Sequence, residues 1–317
     1  MAQAPVPPDR PDPDWPDALL AHREDDAAFG ASYEATPARA RAWIKKTVAL
    51  AEILHAPVRH GSSRCARHTP LVRLVGEERP VARVLALLDA DCGPVRAAAA
   101  LAPALLAGVP RVAAALDADT GTWPDGLLAA LEITGVETAA ALNGAQLAAC
   151  VRSMAETGDG RDAPGVILDL RTTVRPNLRP NLCPDLSPEQ GRGPAFGAHA
   201  PRLAWWRPAL GPGLDVLLSP DIPATPDALD AELLALLHGA SNVRTHPPDA
   251  DLENLLAAVH GALLLGDARA EALCVRPRGS LPGLLLTPST AGCWAWPGLR
   301  PEIFRPARLA CLAVDLL

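Results

Sequence analysis

Three small groups of residues in this 317-residue sequence have the types that chemistry uses. The first is Cys293, in "STAGCWAW", flanked by Gly292 and small polar residues. A thiol there can act as a nucleophile if it ionises, or rest as an inert buried cysteine. The second is His238, which with His260 precedes a glycine at the end of a predicted helix. Imidazole at that position can serve as a base, or simply meet the negative end of the helix. The third is the turn in "LLAALEITGVETAAALNGAQLAACV" (127–151), which places Asn143, Gly144 and Gln146 in an apolar run. Gly144 would let a backbone approach a ligand closely. Gln146 offers donor and acceptor at a helix start that favours anions. An amide helix cap explains the same residues equally well.

Other constellations are weaker. "GRGPAFG" (191–197) is one residue too long for a dinucleotide fingerprint and does not follow a strand. His55, His60, Cys65 and His68 in "HAPVRHGSSRCARH" suit zinc by type, but their spacing matches no finger, and a solvated loop accounts for them. GxxxxGK[ST], GxSxG and HExxH are absent. Asp89/Asp91 and Asp117/Asp119 follow predicted strand ends, which face the ligand crevice of a parallel sheet. Loop capping would also explain them. Arginines cluster over 59–83 and at Arg171, Arg175 and Arg179, a solvated face or the partner of an anion such as a cofactor phosphate.

The elements that must position these groups follow from periodicity. Thr36-Pro37 opens a helix with Trp43, Ile44, Val48, Ala51 and Leu54 on one face, ended by Pro57. From residue 81 the pattern alternates: strand 81–88, helix 94–107, strand 111–117, helix 125–135, strand 136–142, helix 144–154, strand 165–170. That rhythm predicts right-handed crossovers and a largely parallel sheet. Proline then interrupts over 171–205, a long connecting loop. A second alternating stretch offers "LDVLLS", a helix from Thr225 to Leu237, "NVRTH", the helix "DLENLLAAVHG", and strand candidates "ALLLG", "EALCV", "GLLLT" and "LACLAVDL".

Composition sets outer limits. Hydrophobic residues make up 49% of the chain, enough for a large core, and the net charge of -7 argues against nucleic-acid binding. Seven cysteines without a framework spacing predict a reduced, cytoplasmic setting. No secretory signal is visible, and no apolar run reaches the roughly 18 residues of a membrane span. The Pro- and Asp-rich N-terminus reads as disordered over 1–30.

The 127–151 segment resembles the part of histidinol dehydrogenases in which an Ala-rich helix, a strand, a GGAQA turn and a further helix follow one another. "RPVARVLALL" is similar to that family's RPVARV strand, "GPGLDVLLSPDIPATPDALDAELL" to its GPSEVLVIAD…ATPD stretch, and "DADLENLLAAVHGALLLGD" to its helix–GSVFLGD element. The likeness spans about residues 79–155 and 210–290. It implies two Rossmann-like lobes with mainly parallel sheets, the fold shared with aldehyde dehydrogenases. It also implies that Gln146, with Asn143 and Gly144, touches a nicotinamide cofactor. Departures accompany the matches. "DAD" (89–91) replaces the PGG turn, Ser241 and Asn242 stand where a catalytic Glu-His pair belongs, and only His238 approaches a zinc-ligand position.

The sequence therefore predicts an α/β chain in five parts: 1–30 disordered, 31–78 helical, 79–170 nucleotide-binding lobe, 171–205 connecting loop, 206–317 second lobe. It predicts a degenerate relative that keeps a cleft for a nucleotide or small metabolite and has lost zinc-dependent alcohol oxidation. NAD or NADP is the expected cofactor and zinc is not. A small molecule is the expected partner, not nucleic acid or membrane, and a homodimer the assembly the resemblance implies. Two alternatives stand beside this. One is an active NAD(P)-dependent dehydrogenase with Cys293 as nucleophile and His238 as a further catalytic candidate. The other is an interaction protein docking through exposed Trp205-Trp206.

Overall fold

A computed structural model describes residues 15–55, 63–68, 72–156, 165–172, 203–217, 230–275, 282–305 and 307–313. The described chain opens with helices α1 (Asp17–Ala21), α2 (Asp26–Ala35) and α3 (Ala38–His55). The first two fall largely in the stretch expected to be disordered. They form because Trp15 and Leu19 bury apolar surface against the protein and Asp25 caps α2 by accepting from the Ala28 amide at 2.8 Å. Thr36 is not the expected N-cap. It closes α2, its hydroxyl donating to the Ser32 carbonyl at 2.6 Å, before α3 begins.

Strands β1 (Ser63–His68) and β2 (Val72–Glu78) form an antiparallel hairpin, joined on the other side of β2 by β12 (Ala307–Ala313), the strand expected at "LACLAVDL". The main alternation then runs β3 (Arg83–Leu88), α4 (Pro94–Leu106), β4 (Val112–Asp117), α5 (Leu127–Thr134), β5 (Thr138–Leu142), α6 (Gly144–Glu156) and β6 (Gly165–Asp169). β7 (Leu203–Trp206) pairs with β6 and completes a parallel sheet of order β5-β4-β3-β6-β7. Residues 203–206 thus belong to the first sheet.

Side chains of this sheet alternate between two apolar layers. Leu85, Leu87, Ala113, Ala115, Ile167 and Trp205 face α1 and α6. Val84, Ala86, Leu88, Leu116, Leu168 and Trp206 face the layer built by α2 to α5. Both tryptophans are buried, Trp205 at 4% and Trp206 at 0% exposure, which removes the surface pair expected to dock a partner. Both faces are covered, so the strands read as unbroken apolar runs. Apart from the buried Arg96, α4 is apolar all round for the same reason: α3, α5 and the sheet enclose it, and its alanines let them approach closely.

The second lobe holds β8 (Leu214–Leu217), α7 (Ala231–His238), β9 (Val243–His246), α8 (Leu252–Ala258), β10 (Ala262–Leu264), α9 (Asp267–Cys274) and β11 (Leu284–Leu286). Its sheet is parallel, in order β11-β10-β8-β9. "EALCV" lies in α9 rather than in a strand. A short apolar run does not itself distinguish helix from strand, and here Ala270 and Leu273 bury at helical spacing. The protein therefore has the predicted α/β architecture of two lobes with parallel sheets.

Candidate functional site

The crevice of a doubly wound sheet opens where the chain reverses direction of travel, outside the carboxyl ends of the strands. Here the chain leaves β3 for β4 and β5 on one side and returns to β6 on the other, so the reversal point lies between β3 and β6. Asp89 follows β3, Asp117 ends β4 and Asp169 ends β6, each no more than 2% exposed. Arg171, 3% exposed, lies among them. Its Nε donates to Asp169 Oδ1 at 2.7 Å and its Nη2 to Oδ2 at 3.1 Å, while Nη1 lies 3.5 Å from Asp117 Oδ2. The Thr172 hydroxyl and amide both donate to Asp89 Oδ2. The other Asp89 oxygen has no hydrogen-bond partner among the described residues. Arg171 thus joins the carboxylates at the ends of β4 and β6, and Thr172 holds the one that follows β3. The sequence showed Asp89, Asp117 and Arg171, but only the fold brings Arg171 to the strand ends.

A dinucleotide rests its pyrophosphate on the N-terminus of the helix after the first strand. That helix is α4, entered through Asp91, Cys92 and Gly93. The C-terminal end of α7 packs on this turn. A Cβ on Gly93 would meet the Leu237 carbonyl and lie 2.6 Å from His238 Cα, so the two backbones touch. Ser241 donates its hydroxyl to Asp91 Oδ1 at 2.7 Å, and the Asn242 amide donates to the Asp91 carbonyl at 2.9 Å. Gly239, at φ +84°, turns the chain directly against the Asp91 carbonyl. The turn that leads into α4 is thus packed against the C-terminal end of α7.

Gln146, Asn143 and Gly144 form the first turn of α6. The Asn143 amide donates to Gln146 Oε1 at 2.9 Å, and the Gln146 amide donates to Asn143 Oδ1 at 3.0 Å. This reciprocal pair is a capping box built from two amides. The Gly144 amide donates to Asp119 Oδ2 at 3.0 Å, and Gln146 Nε2 lies 2.6 Å from His22 Nε2. Two of the helix-start donors an anion would use are already satisfied.

His238 is fully buried. Its Nε2 donates to the Ala291 carbonyl at 2.8 Å, and Nδ1 has no partner among the described residues. Burial, reinforced by nearby Arg96, pushes its pKa down to about 3, so the ring is neutral. Trp294 lies beside it, ring centroids 5.6 Å apart, and the Arg96 guanidinium stacks over Trp294 at 4.5 Å. Arg96 is itself buried, with Nε and Nη2 unpartnered among the described residues. Nothing in the sequence set Arg96 apart.

Cys293 is 1% exposed and lies beside Thr47 and Lys46 of α3, whereas α6 packs on the opposite face of the first sheet. Burial raises its thiol pKa, with Thr47 and Lys46 acting the other way. The structure does not bring Cys293 or His238 to Gln146. Among the described residues, no cluster of His, Cys, Asp or Glu is placed to hold a metal ion. The side chains of His60, Cys65 and His68 lie outside the described residues, so that cluster is not addressed.

Against known proteins, no family model matches the chain and no curated protein matches it. Solved structures do. The chain is similar to histidinol dehydrogenase from Elizabethkingia anophelis, at 14% identity and a TM-score of 0.51, over 92% of this chain and 77% of that one. It is also similar to succinate-semialdehyde dehydrogenase from Burkholderia pseudomallei, at 12% identity and a TM-score of 0.41, over 94% of this chain and 89% of that one. At such identity the likeness establishes a dehydrogenase-like fold and nothing finer.

Proposed function

We propose that this protein is a non-catalytic relative of the histidinol dehydrogenases. In this reading it has lost zinc-dependent alcohol oxidation and keeps the two-lobed scaffold as a binding module for a small metabolite. The observation that carries the reading is the packing of Gly93 against the His238 backbone. It closes the lobes over the start of α4, where a nicotinamide dinucleotide would place its phosphates. Hydride transfer needs a placed nicotinamide, a base and a polarising group. His238, neutral and hydrogen-bonded to a carbonyl inside the protein, supplies none of these to a substrate.

The test is to incubate the full chain with histidinol, and separately with short aldehydes, in the presence of NAD+ or NADP+ with and without zinc. No reduced cofactor above the protein-free rate is expected. Zinc-dependent turnover of histidinol would overturn the proposal.

The competing reading, an aldehyde dehydrogenase using NAD(P) and Cys293, draws support only from the shared fold. A buried thiol with a raised pKa holds little of the thiolate that attack on a carbonyl requires.

A further inference from the structure

At the opposite end of α4 from the closed crevice lies a pocket of about 680 Å³. Leu54, Ala99, Pro103, Trp294 and Trp296 give it apolar walls. It is a size typical of small-ligand sites. Arg305 secures the pocket wall by donating to the Ala107 carbonyl at 3.1 Å, just past the end of α4, and lies 3.7 Å from Glu78. Trp296 is held by a hydrogen bond from its indole N–H to the Arg96 carbonyl at 3.0 Å, and it packs edge-on to Trp294 at 5.3 Å. The aromatic wall is therefore fixed in place before any ligand arrives.

The rim carries charge of both signs. Arg300 and Glu302 stand two residues apart, both exposed; their carbonyls accept from the Ile303 and Arg305 amides, and their side chains stay clear of those bonds on the rim. His55 sits between their fields, and burial biases it toward the neutral form. A guanidinium is suited to a carboxylate and a carboxylate to an ammonium. The stacked Arg96 covers a face of Trp294, which is 1% exposed, so an ammonium finds no open face of that ring. The ammonium of a ligand is thereby directed to Glu302.

We propose that this pocket binds an α-amino acid with a large apolar side chain. The side chain lies against Leu54 and the accessible edge of Trp296, the carboxylate meets Arg300 and the ammonium meets Glu302. This site is separate from the crevice, and the inference does not depend on the loss of dehydrogenase activity.

The experiment uses the full chain, intrinsic tryptophan fluorescence and calorimetry, with phenylalanine, 3-phenylpropionate and phenethylamine. Phenylalanine should bind saturably, and each analogue, lacking one charged group, should bind about tenfold more weakly. Arg300→Ala should weaken phenylalanine about tenfold and leave phenethylamine unchanged; Glu302→Gln should weaken phenylalanine and leave 3-phenylpropionate unchanged. Ala99→Leu, which fills the pocket, should remove binding of all three. If that variant does not fold, the exposed Arg300 and Glu302 variants decide alone. No saturable binding of phenylalanine, analogues that bind as well as phenylalanine, or charge variants without effect would each overturn the proposal.

Discussion

Ser241 donates its hydroxyl to Asp91 Oδ1 across 2.7 Å, joining two loops 150 residues apart. The pairing is notable because of where the two residues stand. By the sequence resemblance, Asp91 falls where histidinol dehydrogenases carry a glycine turn and Ser241 where they carry a catalytic pair. Under the proposed reading, the substitutions that would remove the reactive groups also join these two segments to each other. Replacing either hydrogen-bonding side chain with alanine should cost about 1 kcal/mol, and the pair should couple by at least about 0.5 kcal/mol in a double-mutant cycle. Urea unfolding of Asp91→Ala, Ser241→Ala and the double variant reads this directly. Strict additivity would mean that the bond contributes nothing.

Gly93 makes a stronger demand. A methyl group there has no room beside the His238 backbone, and neither backbone can move without separating α4 from α7. Gly93→Ala should destabilise by about 1–3 kcal/mol, the usual cost of overpacking a filled interior. A change in midpoint too small to resolve would show that the lobes are not closed at this point.

The amides at the start of α6 act as a cap. Gln146→Ala and Asn143→Ala should each cost about 1 kcal/mol and increase amide exchange in the first turn of α6. A Gln146→Ala variant that keeps its stability but loses binding of NAD+ would reverse this assignment.

Stability should fall at both ends of the pH scale. His238 has its pKa lowered from 6.5 to about 3 by burial, so between these values the unfolded chain binds more protons than the folded one. Stability contributed by the neutral ring is full above pH 6.5 and is lost as pH falls toward 3, at up to about 1.4 kcal/mol per pH unit. At the alkaline end, Cys92 and Cys150 are pushed from 9 up to about 12, so above pH 9 the unfolded thiols ionise first and stability declines as pH rises. Chemical denaturation at stepped pH checks both limbs, and His238→Gln should flatten only the acidic one.

Thiol labelling separates the described cysteines. Cys274 is exposed, while Cys92, Cys150 and Cys293 are buried. Alkylation of the native protein followed by peptide mass spectrometry should mark Cys274 and leave those three. Labelling of Cys293 at the rate of Cys274 would restore it as a candidate nucleophile.

The alternation over residues 83–169 was legible in the sequence because a sheet covered on both faces leaves unbroken apolar runs separated by glycine and proline. Asp89 and Asp117 were legible as strand-end carboxylates for the same reason. What escaped depended on partners remote in the chain. β7 reads as a tail to a proline-rich loop until β6 is known to lie beside it. Trp205 and Trp206 look like a surface pair until both faces of that strand are seen to be covered. α1 and α2 are short and carry few large apolar side chains, and only the burial of Trp15, Leu19 and Phe29 reveals them. The capping role of Gln146 was a stated alternative, and the paired amides realise it.

The central claim, that polypeptide fills the place of a cofactor on α4, is tested most directly by titrating the full chain with NAD+ and with NADP+ in a calorimeter. Neither should give saturable heat at millimolar concentration, where a dissociation constant of 1 mM corresponds to about 4.1 kcal/mol of binding free energy. Saturable binding of either, abolished by a bulky side chain in place of Gly93, would contradict it.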